Sequence, residues 1–283
     1  MQFVMFSKHL QELSIVEAAR RAQAIGFEGL DLTVREGGHI APEDARTQLP
    51  EAKRALADLG MDIPMLTTNI SSTESPHAEE IMTMAQSLGI ANLKLGYWPY
   101  RPFGSIHAQL DDVRRKLDGL EKLAGETGVR LCIHTHSGNT LSAVEAVVYL
   151  LLKDRDPRRL GAYVDPMHMT VEGGKSGWQQ GLDLVQDYIA LMSVKSAGWF
   201  RTDNPETGEA TWQAKLVPVQ QGTVRWREFL SCMQQVGFEG TVSFHSEYQG
   251  GSSWRDLTLD ELLEQTQADL AYLRPLFAAA GLG

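Results

Sequence analysis

Cysteine is scarce in this chain: Cys132 and Cys232 are the only two among 283 residues. One falls in an expected strand and the other in an expected helix, with no spacing that makes a disulfide framework or a zinc knuckle. A reducing, cytoplasmic setting is therefore expected. Positive charge is also in deficit, with 26 Lys and Arg against 36 Asp and Glu and a formal net charge of −10. Such a field opposes nucleic-acid phosphates and anionic membranes. The basic groups Arg114-Arg115-Lys116 and Arg155, Arg158 and Arg159 read as solvated helix faces or turns. No stretch approaches the roughly 18 apolar residues of a membrane helix. The opening MQFVMFSKHL lacks the apolar run of a cleavable signal, so a soluble protein with no membrane partner is expected. Nucleotide and acyl-transfer motifs are missing as well. No GxGxxG follows a strand, and there is no GxSxG elbow. Gly173-Gly174-Lys175-Ser176 matches only the tail of a phosphate-binding loop, because Met169 stands where the first glycine is required.

What the chain does have is a regular alternation of short apolar runs and longer amphipathic segments. Strands are expected at Phe3–Phe6, Leu30–Thr33, Ile63–Thr68, Asn92–Leu95, Arg130–His136, Gly161–Asp165, Ile189–Lys195 and Thr241–Glu247. A helical pattern follows each: Ser14 and Glu17 form a capping box ahead of Ala18, Ala19 and Ala22, and further helices are expected at about 50–59, 76–88, 107–127, 141–153, 177–187, 225–236 and 258–279. Unbroken strand–helix alternation specifies a parallel sheet, and eight units can close into a barrel where a doubly wound sheet stops at five or six. The expectation is an α/β fold, a (β/α)8 TIM barrel spanning 1–283 as one domain. The irregular stretch at about 197–224 reads as an active-site loop.

In such barrels the chemistry sits at the C-terminal ends of the strands. Strand five ends His134-Thr135-His136, strand six ends Asp165 with His168 three residues on, strand seven ends Ser193-Val194-Lys195, and strand eight ends His245-Ser246-Glu247. Period-two alternation puts His134 with His136, Ser193 with Lys195, and His245 with Glu247 on common faces. The site is thus expected on the last four strands. His134, His136, Asp165 and Glu247 are the candidate ligands for one divalent metal ion, with Mn, Zn, Co, Mg and Fe all compatible with imidazole and carboxylate donors. An ammonium is repelled by a metal, so Lys195 is expected to contact substrate oxygen or to pair with Glu247 or Asp165. Asp31 and Lys94 end strands two and four, where they meet either substrate hydroxyls or each other's charges. Tyr97, Trp98, Trp199 and Phe200 follow strands four and seven, where they either wall a sugar pocket or pack as a lid.

Several segments resemble a known family. FSKHLQELSIVEAARRAQAIGFEGLDL is similar to its first strand, helix and second strand, VDPMHM to its sixth-strand D-x-x-H, VKS to a (V/L)-K-D motif, and VPVQQGTVRWREFL with GFEGTVSFHSEY to its closing loop, helix and eighth strand. The family is the xylose isomerase-like barrels, which include sugar isomerases, epimerases, inosose dehydratases and the endonuclease IV group. The resemblance covers nearly the whole chain. It implies a divalent metal held by Glu, Asp, His and Glu on strands five to eight, with the glutamates moving protons between sugar carbons. It also implies frequent dimers or tetramers. Asp165 matches the strand-six ligand and His168 the histidine that touches substrate. This chain departs at His134 in place of Glu, Ser193 in place of His, and Ser196 in place of the acid after Lys195, while His245 or Glu247 takes the strand-eight role.

The expected function is a metal-dependent isomerase or epimerase acting on a keto sugar, an inositol-like polyol or a derivative, through α-proton abstraction and an enediolate. His134, Lys195, His245 and Glu247 are the expected catalytic residues, and His168, Lys94, Tyr97 and Trp199 the substrate contacts. Loss of hydroxide from the same intermediate would make a dehydratase or lyase. A barrel that binds sugar without chemistry is the remaining alternative. A metal-dependent hydrolase would carry its HxH pair on the first strand, and an abasic-site nuclease is opposed by the acidic charge.

Overall fold

The computed structural model describes residues 1–283. In chain order its strands are β1 (Gln2–Phe6), β2 (Gly29–Val34), β3 (Asp62–Thr68), β4 (Asn92–Lys94), β5 (Arg130–His134), β6 (Leu160–Val164), β7 (Ile189–Val194), β8 (Ser196–Asp203), β9 (Ala210–Val217) and β10 (Thr241–Phe244). Eight of them close a barrel in the order β1-β10-β7-β6-β5-β4-β3-β2, all neighbours parallel, and β8 and β9 form a separate two-stranded sheet. The helices are α1 (Ile15–Ile25), α2 (Ala45–Asp58), α3 (Ala78–Ser87), α4 (Ile106–Thr127), α5 (Glu145–Leu152), α6 (Pro166–Gly173), α7 (Gly177–Val185), α8 (Trp226–Gln235) and α9 (Leu259–Ala279). The (β/α)8 expectation holds strand for strand. β2, GLDLTV, is buried along its whole length, as a strand covered by barrel interior on one face and helices on the other must be. No helix is long and apolar enough to cross a membrane, and both cysteines are free.

Local differences from the sequence reading have local causes. Ser14 caps α1 by accepting from the Glu17 N–H at 3.2 Å, but the Glu17 carboxylate turns to Arg21 at 2.9 Å, so only half of the expected capping box forms. The reciprocal box is at α9, between Thr258 and Glu261. Helix α2 starts five residues earlier than expected and takes Pro50 inside it. Buried Ala45, Leu49, Ala52 and Leu56 make one continuous helical stripe, and its burial outweighs the proline. Arg155 is not a solvated turn residue: its guanidinium is buried against Asp118 at 2.8 Å and Glu121 at 2.9 Å, tying α4 to the turn after α5.

Two segments change what surrounds the site. Directly after β6, Asp165 caps α6 by accepting from the N–H groups of Met167 and His168 at 3.0 and 3.1 Å, with Pro166 at the first helical position. An Asp-Pro step before a turn of helix is a start signal, and the sequence reading used it only as a motif. The expected active-site loop at 197–224 is mostly a hairpin, β8 paired with β9 over eight residue pairs. Its turn is closed by Asn204, whose side chain accepts from the N–H of Glu206 and of Thr207, and by Gly208 at φ +73°. The hairpin root, Ser196, Ala197, Leu216 and Val217, is buried, Gly198, Ala214 and Lys215 are half-buried, and the outer part stands in solvent. A strand pair solvated on both faces shows no apolar alternation, which is why periodicity missed it.

Candidate functional site

A cavity of about 420 Å³, measured out to its mouth, opens at the C-terminal end of the barrel. The space inside it that is closed off from open solvent is about 100 Å³, smaller than the roughly 300–1,000 Å³ usual for small-molecule sites. Its lining includes Lys94, Tyr97, His134, His136, Lys195, His245 and Glu247 from the expected set. The remaining lining residues are Phe6, Lys8, Arg35, Thr67 and Tyr163. The site therefore draws on the whole ring of strands, not on the last four alone.

Lys195 stands at the centre. Its ammonium is 1% exposed and lies 3.3 Å from Asp165 Oδ2 and 3.7 Å from Glu247 Oε1. Asp165, fully buried, is also approached by His134 Nε2 at 3.3 Å and His168 Nε2 at 3.7 Å on the same oxygen, while its Oδ1 is filled by the two α6 amides. Burial alone would raise both carboxyls. Lys195, with His168 and His134 beside Asp165 and with His9 and Lys8 beside Glu247, holds both below the usual carboxylate range. The same two carboxylates outweigh burial at Lys195 and raise its pKa, so all three groups are charged near neutrality.

The imidazoles are neutral for the opposite reason. Burial lowers His134 to about 3 and His136 to about 4. An ionised carboxylate can only accept, so Asp165 takes the Nε2–H of His134. His134 Nδ1 is then left to accept from the Tyr97 hydroxyl at 3.0 Å, giving a directed chain from Tyr97 through His134 to Asp165. The His134 ring stacks on Tyr163 at 4.3 Å, which fixes its plane. His245 pairs through Nε2 with the Tyr163 hydroxyl at 2.8 Å and stacks on Phe6 at 4.3 Å. Below it, Asp31 accepts from Thr67 at 2.7 Å and from Ser243 at 2.9 Å.

A resident metal ion needs several free carboxylate and imidazole lone pairs aimed at one point. His134, His136, Asp165 and Glu247, expected as such a set, do not supply it: no three His, Cys, Asp or Glu side chains are grouped to hold a metal ion. Asp165 accepts from the two α6 amides and from His134 and has the Lys195 ammonium 3.3 Å away, and the near oxygen of Glu247 faces Lys195 and His9. An ammonium fills the place between the two carboxylates. The donors fit a lysine-centred ion network and not an ion cage.

The other expected contacts divide. His168 is buried behind the lining, with Nδ1 2.6 Å from Ser137 Oγ. Trp199 is 47% exposed on the hairpin and outside the cavity lining, and exposed Phe200 is outside it too. Trp98 is a core residue donating to the Ser71 carbonyl at 3.1 Å. Lys8, His9 and Arg35 were missed although the strand-end rule applies equally to β1 and β2. Tyr163 was missed although it shares alternate spacing with Asp165.

A family model described as xylose isomerase-like TIM barrel matches residues 19–276. Among solved structures, the apo form of a 3-keto-D-glucoside 4-epimerase from E. coli is similar at 14% identity and TM-score 0.70, covering 97% of this chain and 99% of that one. A D-psicose 3-epimerase crystallised in the presence of D-fructose is similar at 15% identity and TM-score 0.67, covering 98% and 99%. A xylose isomerase-like barrel protein from Mycobacterium smegmatis, in complex with magnesium, is similar at 16% identity and TM-score 0.69, covering 100% and 98%. Identities this low compare folds and not activities. No match was found among curated protein sequences.

Proposed function

The chain belongs to the xylose isomerase-like TIM barrel family, and on that premise we propose that it is an isomerase or epimerase of a keto sugar, a cyclic polyol ketone or a derivative, working through an enediolate. The observation that carries this reading is Lys195, a buried ammonium shared between Asp165 and Glu247 on the wall of the cavity. An enediolate needs a cation at its oxygen and a base at the neighbouring carbon. Lys195 supplies the first and Glu247, the carboxylate that lines the cavity, the second. As charge builds on the substrate oxygen, Lys195 turns toward it, and the hold that keeps Glu247 a weak base is relaxed. The two events assist each other.

His134 lies three strands from Glu247 around the ring, on β5 against the end of β10. The Tyr97 hydroxyl, kept protonated first by burial and then by the nearby carboxylates, is the donor on that side. Delivery of the Tyr97 proton to the other carbon gives an isomerase, and to the other face of the same carbon an epimerase; the proton taken by Glu247 then passes through solvent to the tyrosinate oxygen and resets both groups. Expulsion of hydroxide from the enediolate gives a dehydratase, which product analysis separates. The fold is one that sugar epimerases also use. No step here runs through a metal ion.

The test is exchange of the α-proton of keto sugars in D2O, followed by NMR, with protein treated with EDTA and with protein supplemented with Mn2+ or Mg2+. Exchange by the EDTA-treated protein, lost by about 100-fold or more in Glu247→Gln, is the expected result. Exchange that appears only with added metal would remove the role given to Lys195. Absence of exchange with every sugar under both conditions would leave a sugar-binding barrel.

A further inference from the structure

The cavity carries more positive charge than the enediolate chemistry uses. Lys8 follows β1, Arg35 follows β2, Lys94 ends β4, and all three line the cavity together with Lys195. Of these four cations only Lys195 is in an ion pair. Glu247 is the single carboxylate in the lining, and Lys195 already engages it. This occurs in a chain whose formal net charge is −10, so the mouth is cationic against the overall field.

Lys94 makes the point sharpest. It is 2% exposed, its Nζ has no hydrogen-bond partner, and it lies over the face of Tyr97, 3.7 Å from the ring centre. Asp31 offsets part of the effect of burial on Lys94, but the two form no ion pair, and a buried ammonium without one is costly. Burial first, and then Arg35, pushes its pKa down to about 7, so an arriving anion would recharge it as well as pair with it. Arg35 adds a planar fork of donors suited to an oxyanion.

The unpaired cations are also separated from the chemistry. Lys8, Arg35 and Lys94 belong to the β1, β2 and β4 side of the ring, whereas His134, Asp165, Lys195 and Glu247 belong to the β5, β6, β7 and β10 side. One side carries base, ammonium and relay, and the other carries cations without partners.

We propose that the substrate is anionic, a keto sugar bearing a carboxylate or phosphate that Lys8, Arg35 and Lys94 hold while its carbonyl meets Lys195 and Glu247. The placement of the carbonyl rests on the function proposed above; the anion clamp stands on the unpaired cations alone.

Three sugars of one skeleton test it by direct calorimetric binding: neutral D-fructose, D-fructuronate and D-fructose 6-phosphate. At least one charged sugar is expected to bind about 30-fold or more tighter than D-fructose, and its advantage is expected to shrink as salt rises. Tighter D-fructuronate identifies a carboxylate and tighter D-fructose 6-phosphate a phosphate. In Arg35→Gln, a change at a half-buried position, and in Lys94→Met, which replaces a buried amine in no ion pair by an apolar chain of similar length, the advantage of the charged sugar over D-fructose is expected to fall to within a few-fold. Equal binding of all three, binding of none, or an advantage that survives both substitutions would overturn the proposal. Because affinity is read and not turnover, a chain that grips the charged sugar but never exchanges its α-proton would refute the isomerase reading and leave the anion clamp in place.

Discussion

Replacing Lys195 by methionine keeps most of the side-chain volume and removes the one cation shared by Asp165 and Glu247. At an effective dielectric of about 20, attractions across 3.3 and 3.7 Å are about 5 and about 4.5 kcal/mol. Desolvation offsets much of that in the wild type. Removing one partner of a buried pair leaves the other charge uncompensated, and the expected loss of stability at pH 8 is about 3–5 kcal/mol. The pH dependence follows from the directions of the shifts. In the wild type the folded pKa values of Asp165 and Glu247 lie below their unfolded values. Their contribution is therefore present above pH of about 4 and is lost as pH falls through the folded values. In Lys195→Met the same carboxyls are raised by burial and by each other, so the variant recovers stability as they protonate. Urea unfolding of both proteins from pH 8 down to pH 5 should show the gap narrowing on acidification. Adding Asp165→Asn to the variant should recover part of the loss at pH 8. A gap below about 1 kcal/mol at pH 8, or one that is constant with pH, would refute the central ion network.

Three further perturbations probe separate parts of the structure. Burial pushes Asp31 up to about 6 despite the hydroxyls of Thr67 and Ser243. Its folded pKa exceeds the unfolded value, so ionising it costs stability as pH rises from about 4 to 6. Asp31→Asn should thus gain roughly 2–3 kcal/mol on the wild type between pH 4 and pH 7 by urea unfolding, and a pH-independent difference would contradict this. Tyr97→Phe takes the hydroxyl from His134 Nδ1. The α-proton exchange rate should fall about 10- to 100-fold, whereas Trp199→Ala, altering a residue outside the cavity, should leave that rate unchanged; the reverse pattern would return the hairpin to the site. Thr258→Ala dissolves the capping box of α9 and should cost about 1 kcal/mol in chemical denaturation.

The barrel was legible because each of its eight units repeats the same local pattern, and local patterns survive in one dimension. The strand-end rule also picked out His134, His136, Lys195, His245 and Glu247, which line the cavity, since a strand's direction and period decide where its last side chains go. Applied to β1 and β2 with equal weight, it would have found Lys8 and Arg35 as well. The metal reading depends on more than residue type. Residue types at strand ends suggested imidazole and carboxylate ligands, but ligand capacity depends on what each atom already bonds, and Asp165 is consumed by α6, His134 and Lys195. The hairpin was hidden because solvated strands follow no apolar rhythm.

The sequence by itself determined the alternation of strands and helices, the solvated and buried faces, and which side chains reach the open end of the barrel. Only the tertiary structure decided which of those side chains meet. Closing the ring sets β1 between β2 and β10, so that Asp31 bonds Ser243 from 212 positions away, and it drops the Lys195 ammonium between two carboxylates that follow different strands. Such meetings depend on barrel closure and on the competition of several donors for one oxygen, and neither is a property of any local stretch of chain.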